Sequence, residues 1–227
     1  AFLMKRSIKN SAKKFNLNVT FMAKPFSDHA GNGMHAHLSL IDKDGNNVFK
    51  VDKNKQPKGI FANSIAGLLK TTPDFLSFYA PSANSYRRLV HNADHAPTTL
   101  SWGNENRTSL IRLPEASSSA TRLEFRLPSA DANPYLVFAS ILSSVLSGIQ
   151  NKDALDKETI GNAHAQHEPE LGITWREAVK KTSQSSVVKE FFGEQFQKSY
   201  QVVKESEINR FDSTITDFEY NSYLRHL

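Results

Sequence analysis

The segment from Lys24 to Ser39 contains the pattern that most restricts how this chain can fold. A turn with Gly31 and Gly33 leads directly into a stretch in which apolar and polar residues alternate. Because successive residues of a strand point to opposite faces, the pattern predicts a strand with an apolar face made of Met34, Ala36, Leu38 and Leu40. The opposite face carries His35, His37 and Ser39. A strand with one apolar face and one ligating face is typical of the wall of a cleft.

A second segment, Thr121 to Leu127, alternates in the same way. Its apolar face would contain Leu123, Phe125 and Leu127, and its other face Arg122, Glu124 and Arg126. One interpretation is a solvent-exposed face whose charges compensate each other. The alternative is a site for an anion, because Arg107 and Arg112 lie on a predicted neighbouring strand and its leading turn. In that interpretation up to four arginines converge on one anionic ligand.

A carboxylate among arginines also suggests a cation. A divalent ion held by Glu124 and one histidine is suited to Mg²⁺ or Mn²⁺ bridging nucleotide phosphates. One glutamate and one histidine do not complete such a site, so further ligands are required. Two histidines at strand spacing are by themselves a weak signal, because such residues are often simply packed or exposed.

The composition excludes several classes of protein and of binding site. The 227 residues, 39% hydrophobic and 22% charged, suffice for one substantial core. No apolar run approaches the ~20 residues of a membrane helix. The absence of cysteine excludes disulfides and thiolate metal sites and favours a cytoplasmic location. The net charge of +5 is spread without a dense basic run, so we expect neither a nucleic-acid nor a membrane partner.

The chain as a whole predicts an α+β fold, with a curved, mainly antiparallel sheet backed by helices and a helical C-terminal region. We expect a partial catalytic domain over residues 1–150 and its helical continuation over 151–227. Strands are predicted at 18–24, 34–41, 48–51, 98–103, 109–113 and 121–127. Helices are predicted near the start, at 59–70, at 74–79 after a break at Pro73, at 133–149 and from 174 onward. Residues 151–172 are predicted to be a flexible connection.

The motifs occur in the order found in one family. Lys24-Pro25, the Gly31 and Gly33 turn, His35 and Ser39 together resemble the ATP-binding signature of glutamine synthetases. Later segments that resemble consecutive family motifs are Asn84–Val90, Ala96-Pro97, Asn106-Arg107, Ile111-Arg112, Arg122–Arg126, Asn133–Tyr135 and the ending Ile215–Leu224. The resemblance covers nearly the whole chain but only about the C-terminal half of the family's length. It implies a piece of a longer protein, as does a start inside an apparent helix.

The resemblance implies roles for individual positions. His35 and Glu124 match the ligands of the Mg²⁺ or Mn²⁺ ion that bridges the ATP phosphates. Positions matching nucleotide contacts are Lys24, His37, Ser39, Arg112 and Arg122, and positions matching glutamate contacts are Gly31, Gly33, Arg88 and Arg126. Arg107 matches an arginine that acts on the transferred phosphoryl group. The implied partners are ATP, glutamate and an amine, within a homo-oligomeric ring for the full-length protein.

Two departures from the family pattern concern different substrates: Ala30 lacks a side-chain contact to glutamate, and His95 bears on the acceptor amine. Ala30 stands where the family usually has asparagine, and His95, after Asp94, stands where the family usually has a glutamate that receives a proton from ammonium. We assign Asp94 and His95 to the catalytic set, since neutral histidine is a competent base near pH 7 but lacks the fixed charge that attracts ammonium.

Three hypotheses follow. The leading one is the C-terminal catalytic portion of a glutamate–ammonia ligase that works through γ-glutamyl phosphate and is inactive by itself. The second is a γ-glutamyl-polyamine or other γ-glutamyl-amine ligase on the same scaffold. The third is a non-catalytic or degenerate nucleotide-binding domain.

Overall fold

The computed structural model describes residues 1–90, 96–171 and 173–224 and contains one mixed sheet. The strands are β1 (Ala36–Leu38), β2 (Lys50–Val51), β3 (Pro57–Lys58), β4 (Trp102–Asn104), β5 (Ile111–Leu113) and β6 (Leu123–Phe125). Four of them form the sheet in the order β1-β6-β5-β4. The pairs β1–β6 and β5–β6 are antiparallel, whereas β4–β5 is parallel. β2 and β3 form a separate antiparallel pair.

The register of β1 on β6 explains why the two alternating segments share their faces. Ala36 lies opposite Phe125 and Leu38 opposite Leu123, so the apolar side chains meet in the core. His37 lies opposite Glu124 on the other face. On the far side of β6, Arg112 of β5 lies opposite the same glutamate. The sheet therefore brings the predicted polar residues of three strands to one face.

Helices cover the apolar face of the sheet and form most of the rest of the molecule. They are α1 (Phe2–Lys13), α2 (Ile60–Tyr79), α3 (Ala83–Arg88), α4 (Pro134–Asn151), α5 (Trp175–Gln184), α6 (Ser186–Phe192), α7 (Glu194–Asp212) and α8 (Asp217–Tyr223). α2 packs against α4, α5 and α6, and α7 packs on α5 and α6. The α+β prediction, with a mainly antiparallel sheet and a helical C-terminal region, is confirmed. No helix in the described part of the chain is both long and apolar enough to cross a membrane.

Two glycines allow α2 and α4 to approach closely. A Cβ atom built on Gly67 would lie 2.3 Å from the carbonyl oxygen of Ser144 and 2.7 Å from the Cα of Gly148. A Cβ atom on Gly148 would lie 2.2 Å from the carbonyl oxygen of Asn63. Since real Cβ atoms are not found at such distances from backbone atoms, the helix crossing requires glycine at both positions.

The predicted break at Pro73 is wrong, because α2 continues through it to Tyr79. Proline removes one backbone hydrogen bond and costs about 3 kcal/mol inside a helix. Phe75, Leu76 and Phe78 are all buried, however, and their packing stabilises the helix beyond the proline. The predicted start of α4 is confirmed, since the Asn133 side chain caps the helix by accepting a hydrogen bond from the Tyr135 N–H.

Three other local predictions need correction. Residues 18–24 form no strand, and the backbone of Lys24 is hydrogen-bonded to the side chain of Asn84 instead. The predicted strands 34–41 and 48–51 are joined by a bridge between Ile41 and Asn47 and by a hydrogen bond from the Val48 N–H to the Leu40 carbonyl, but Lys50–Val51 pairs with β3 instead of continuing along β1. At the junction the Asn47 amide donates to the carbonyls of Ser119 and Thr121.

The segment predicted as a flexible connection is held along β4. Thr159 N–H donates to the Trp102 carbonyl, the Trp102 indole donates to the Asp156 carbonyl, and the Glu158 carboxylate accepts from the Asn104 N–H. These bonds fix the segment to the edge of the sheet that leads into the arginine-bearing turn.

Candidate active site

Glu124 is the centre of a buried ionic cluster on the polar face of the sheet. Its Oε1 lies 2.8 Å from His35 Nδ1 and 3.0 Å from a terminal nitrogen of Arg126, and its Oε2 lies 2.8 Å from a terminal nitrogen of Arg112. Glu124 and Arg126 are each 3% exposed. The interpretation of this strand face as solvent-exposed is therefore wrong, although its charges do compensate each other.

The cluster determines the protonation states at neutral pH. Burial alone disfavours the Glu124 carboxylate, but the Arg112 hydrogen bond and the positive charge of Arg126 outweigh it and hold the pKa of Glu124 below its usual range. Burial and the positive charge of Arg126 lower the pKa of His35 despite the neighbouring carboxylate. Glu124 is thus ionised and His35 neutral, which are the states in which both side chains bind metal ions.

The donor atoms fit a divalent metal ion. His35 Nδ1 donates a hydrogen bond of 2.8 Å to Glu124 Oε1, which leaves the His35 Nε2 lone pair and the carboxylate oxygen atoms as donor atoms that would hold Mg²⁺ or Mn²⁺. In the described part of the chain no third histidine or acidic side chain joins them in a metal-binding group. Water and phosphate oxygen atoms usually complete such a coordination sphere.

A second arginine site lies beside the glycine-rich turn. Arg88, at the end of α3, is buried and donates hydrogen bonds of 2.7 and 3.2 Å to the carbonyls of Leu127 and Arg126, just after β6. Burial lowers the pKa of Arg88 to about 10. A Cβ atom on Gly31 or Gly33 would lie 2.7 Å from the Arg88 side chain. The absence of side chains at both glycines therefore makes room for Arg88.

The structure brings together some of the predicted site residues and separates others. His35, Arg112, Glu124 and Arg126 form one cluster, and Arg88 with Gly31 and Gly33 adjoins it, since the Cβ built on Gly33 is also 3.4 Å from His35 Nε2. His37 accepts a hydrogen bond of 3.3 Å from Arg122 Nε on the open side of the sheet. Exposed Ser39 lies one residue beyond β1, and the Lys24 ammonium donates to the His29 carbonyl in the loop before β1.

Arg107 lies in the turn between β4 and β5. Its side chain is exposed, and its carbonyl accepts a hydrogen bond of 2.9 Å from Arg126. Of the four arginines expected to converge on one anionic ligand, Arg112 and Arg126 meet at Glu124, whereas Arg107 is exposed in the turn and Arg122 contacts His37. Asp94 and His95 fall outside the described residues, so their assignment stays a prediction.

Sequence reasoning missed two acidic residues that support the site. Glu105, in the turn with Arg107, binds Arg112. Asp131 accepts a hydrogen bond of 2.9 Å from Ser82, the N-cap residue of α3, and so anchors the helix that carries Arg88. Neither residue belongs to an alternating segment. The only available signal was an acidic residue in a polar turn, which is too common to interpret.

A buried carboxylate bound by arginines and a neutral histidine, on the polar face of a mixed sheet, combines donor atoms suited to a cation with positive groups suited to an anion. Comparison with known proteins agrees with this kind of site. The family model described as the catalytic domain of glutamine synthetase matches residues 1–223. The chain therefore belongs to the glutamine synthetase family.

The relatives include a ligase named for an organic amine and a glutamine synthetase. The chain is 34% identical to the gamma-glutamylputrescine synthetase PuuA of Escherichia coli over 226 residues, covering 100% of this chain and 48% of PuuA. It is also 34% identical to the glutamine synthetase of Methanococcus voltae, covering 97% of this chain and 51% of that protein. A solved structure titled "Apo GmaS without ligand" matches with a TM-score of 0.86 and 29% identity, over 98% of this chain and 52% of that one. The chain thus spans about half the length of these relatives.

Proposed function

We propose that this chain carries the phosphate- and glutamate-binding side of an ATP-dependent ligase that joins the γ-carboxylate of glutamate to an amine nitrogen, with ammonia as the leading acceptor. The buried cluster of Glu124 with His35, Arg112 and Arg126 is the observation that carries the proposal. Two arginines and one glutamate give it a net positive charge, which suits an anionic ligand.

The proposed reaction has two steps. A γ-carboxylate oxygen of glutamate attacks the γ-phosphorus of ATP, the bond to the β-phosphate oxygen breaks, and ADP leaves. The amine nitrogen then attacks the acyl carbon of γ-glutamyl phosphate, phosphate leaves, and the nitrogen gives up a proton. Positioning and charge neutralisation supply most of the catalysis in phosphoryl transfer, because the protein has little covalent chemistry to perform.

Each residue has a part in this scheme. Arg112 would bind nucleotide phosphate, exposed Arg107 would approach the transferred phosphoryl group, and Arg88 and Arg126 would orient glutamate. Lys24, His37, Ser39 and Arg122 remain proposed nucleotide contacts. His35 and Glu124 would hold Mg²⁺ or Mn²⁺, which when bound neutralises charge on the phosphate oxygen atoms.

Calorimetric titration of the chain with a non-hydrolysable ATP analogue, with and without Mn²⁺, tests the proposal. We expect Mn²⁺-dependent binding that is lost in His35→Ala and Glu124→Ala. The control is His167→Gln, which alters a histidine that contacts Thr159 rather than the cluster. Binding that is indifferent to Mn²⁺, or equal in all variants, would contradict the proposed metal and nucleotide site.

An organic amine is the second candidate acceptor. It is favoured by His95, which offers no fixed negative charge for ammonium, and the relatives include a gamma-glutamylputrescine synthetase. Because the chain is expected to be inactive by itself, phosphate release is measured with the full-length protein, ATP, glutamate and either ammonium or putrescine, and the preferred amine distinguishes the candidates. If ammonia is the acceptor, His95→Glu should improve the use of ammonium. Loss of putrescine turnover in the same variant would favour the organic amine.

A further inference from the structure

Glu105 holds the Arg112 side chain from the side opposite Glu124. One terminal nitrogen of Arg112 is 2.8 Å from Glu124 Oε2, and the other is 2.6 Å from Glu105 Oε2. Arg112 is 15% exposed, whereas Glu105 is 49% exposed and lies at the rim of the cluster. Two carboxylates on separate chain segments therefore fix both terminal nitrogens of one guanidinium group. Its Nε is buried, so the second N–H of each terminal nitrogen is the group that would reach phosphate oxygen atoms.

The position of Glu105 is itself strongly determined. Its backbone has a φ of 51°, in the left-handed region that is unfavourable for a residue with a side chain. Its N–H donates a 3.0 Å hydrogen bond to the Leu113 carbonyl, and its Oε1 accepts a hydrogen bond from the Glu115 N–H. These bonds connect the end of β4 with the residues around the end of β5 and direct the carboxylate toward Arg112.

The stability of the fold alone does not explain why glutamate occupies this strained position. An ion pair with a half-exposed carboxylate contributes little to folding, because solvent screens it and the side chains lose entropy. A left-handed conformation at a non-glycine residue costs of order 1 kcal/mol. Backbone strain of this kind is often found at functional sites, and here it lies next to the proposed phosphate-binding arginine.

We propose that Glu105 is a positioning residue that keeps Arg112 directed at the nucleotide phosphates when Glu124 binds the metal ion. The inference rests on the proposed function. Oε2 of Glu124 is paired with Arg112 in this structure, and a carboxylate shared with a divalent ion holds its arginine less firmly. Glu105 would then be the remaining anchor of the Arg112 guanidinium.

The test compares Glu105→Gln with Glu115→Gln in the full chain. Glu115 is a matched control, because it is a nearby glutamate whose side chain forms an exposed pair with Lys55, so its removal changes the net charge equally. The probes are a non-hydrolysable ATP analogue with Mn²⁺, and AMP, which lacks the outer phosphates. We expect Glu105→Gln to weaken binding of the analogue about tenfold, to leave AMP binding within twofold, and Glu115→Gln to change neither.

Two more variants separate positioning from a structural role. In an Arg112→Gln background, Glu105→Gln should have no further effect on binding of the analogue, because the side chain it positions is gone. Glu105→Gly removes the carboxylate but relieves the left-handed strain, so it should bind the analogue as weakly as Glu105→Gln while unfolding at the same or a higher temperature.

The outcomes distinguish the inference from the proposed function. If the parent chain binds the analogue and Glu105→Gln binds it equally well, the inference is wrong and the proposed function stands. Equal weakening of AMP and analogue binding would also overturn it, because the effect would not be specific to the outer phosphates. If the parent binds no nucleotide, the proposed function fails, and the role of Glu105 fails with it.

Discussion

Replacing Glu124 with glutamine should destabilise the fold as well as the site. Its side chain and that of Arg126 are each 4% exposed, and Arg112 is 15% exposed, so the variant removes the carboxylate that neutralises two largely buried cations. Losing one partner of a buried ion pair costs about 3–5 kcal/mol. We expect the lower end, about 3 kcal/mol, because glutamine retains a hydrogen-bond acceptor and Arg112 keeps Glu105.

Thermal unfolding followed by circular dichroism measures this effect. For a chain of this size about 3 kcal/mol corresponds to a fall in Tm of roughly 6–12 °C. Glu115→Gln makes the same chemical change in a pair whose side chains are 67% and 74% exposed, so its unfolding free energy should stay within about 0.5 kcal/mol of the parent. Equal Tm values for the two variants would refute the reasoning that the buried cluster needs its central charge.

Two further predictions concern the helical layer. Gly67→Ala should lower the unfolding free energy in urea by about 1–3 kcal/mol, because overpacking against the backbone around Gly148 exceeds the ~1 kcal/mol gain in helix propensity. The control is Ser147→Ala, at a half-exposed site on α4 next to Gly148, and it should be near neutral. Burial raises the pKa of Asp74 above 3.8, so its contribution to stability is fully present only in acid and is lost as pH rises through the raised pKa. Asp74→Asn should therefore flatten the pH dependence of the unfolding free energy at pH values just above 3.8, and a steeper pH dependence in the variant would contradict this.

The polar face of the sheet was predictable because it depends only on strand periodicity. Alternation alone assigns His35 and Glu124 to polar faces, wherever the two strands lie in the fold. The two side chains meet only because β1 pairs with β6 in the observed register. No local sequence pattern predicts which strands pair or in what register. The motif order supplied the connection through family resemblance, and the fold comparison supports it.

Other features depend on long-range packing and were missed for that reason. Pro73 lies inside a helix because α4 packs before it at Gly67 and α5 binds after it through Thr182. The hydrogen bonds from the Asn47 amide to the carbonyls of Ser119 and Thr121 join segments more than 70 residues apart. Glu105 became visible as part of the site only with the turn that places it on Arg112. The division of the chain near residue 150 stays a prediction.

The proposed function places two opposing requirements on the Glu124 carboxylate. As a metal ligand, the carboxylate must be ionised and able to leave its arginines in part. As a buried group, it must be neutralised whenever no metal ion is bound, because an isolated buried charge is strongly destabilising. Arg112 and Arg126 meet the second requirement, and each has another anchor, Glu105 for Arg112 and the Arg107 carbonyl for Arg126. Both arginines would therefore keep an anchor if the carboxylate were shared with a metal ion, and the site could gain a cation without losing the groups proposed to bind phosphate and glutamate.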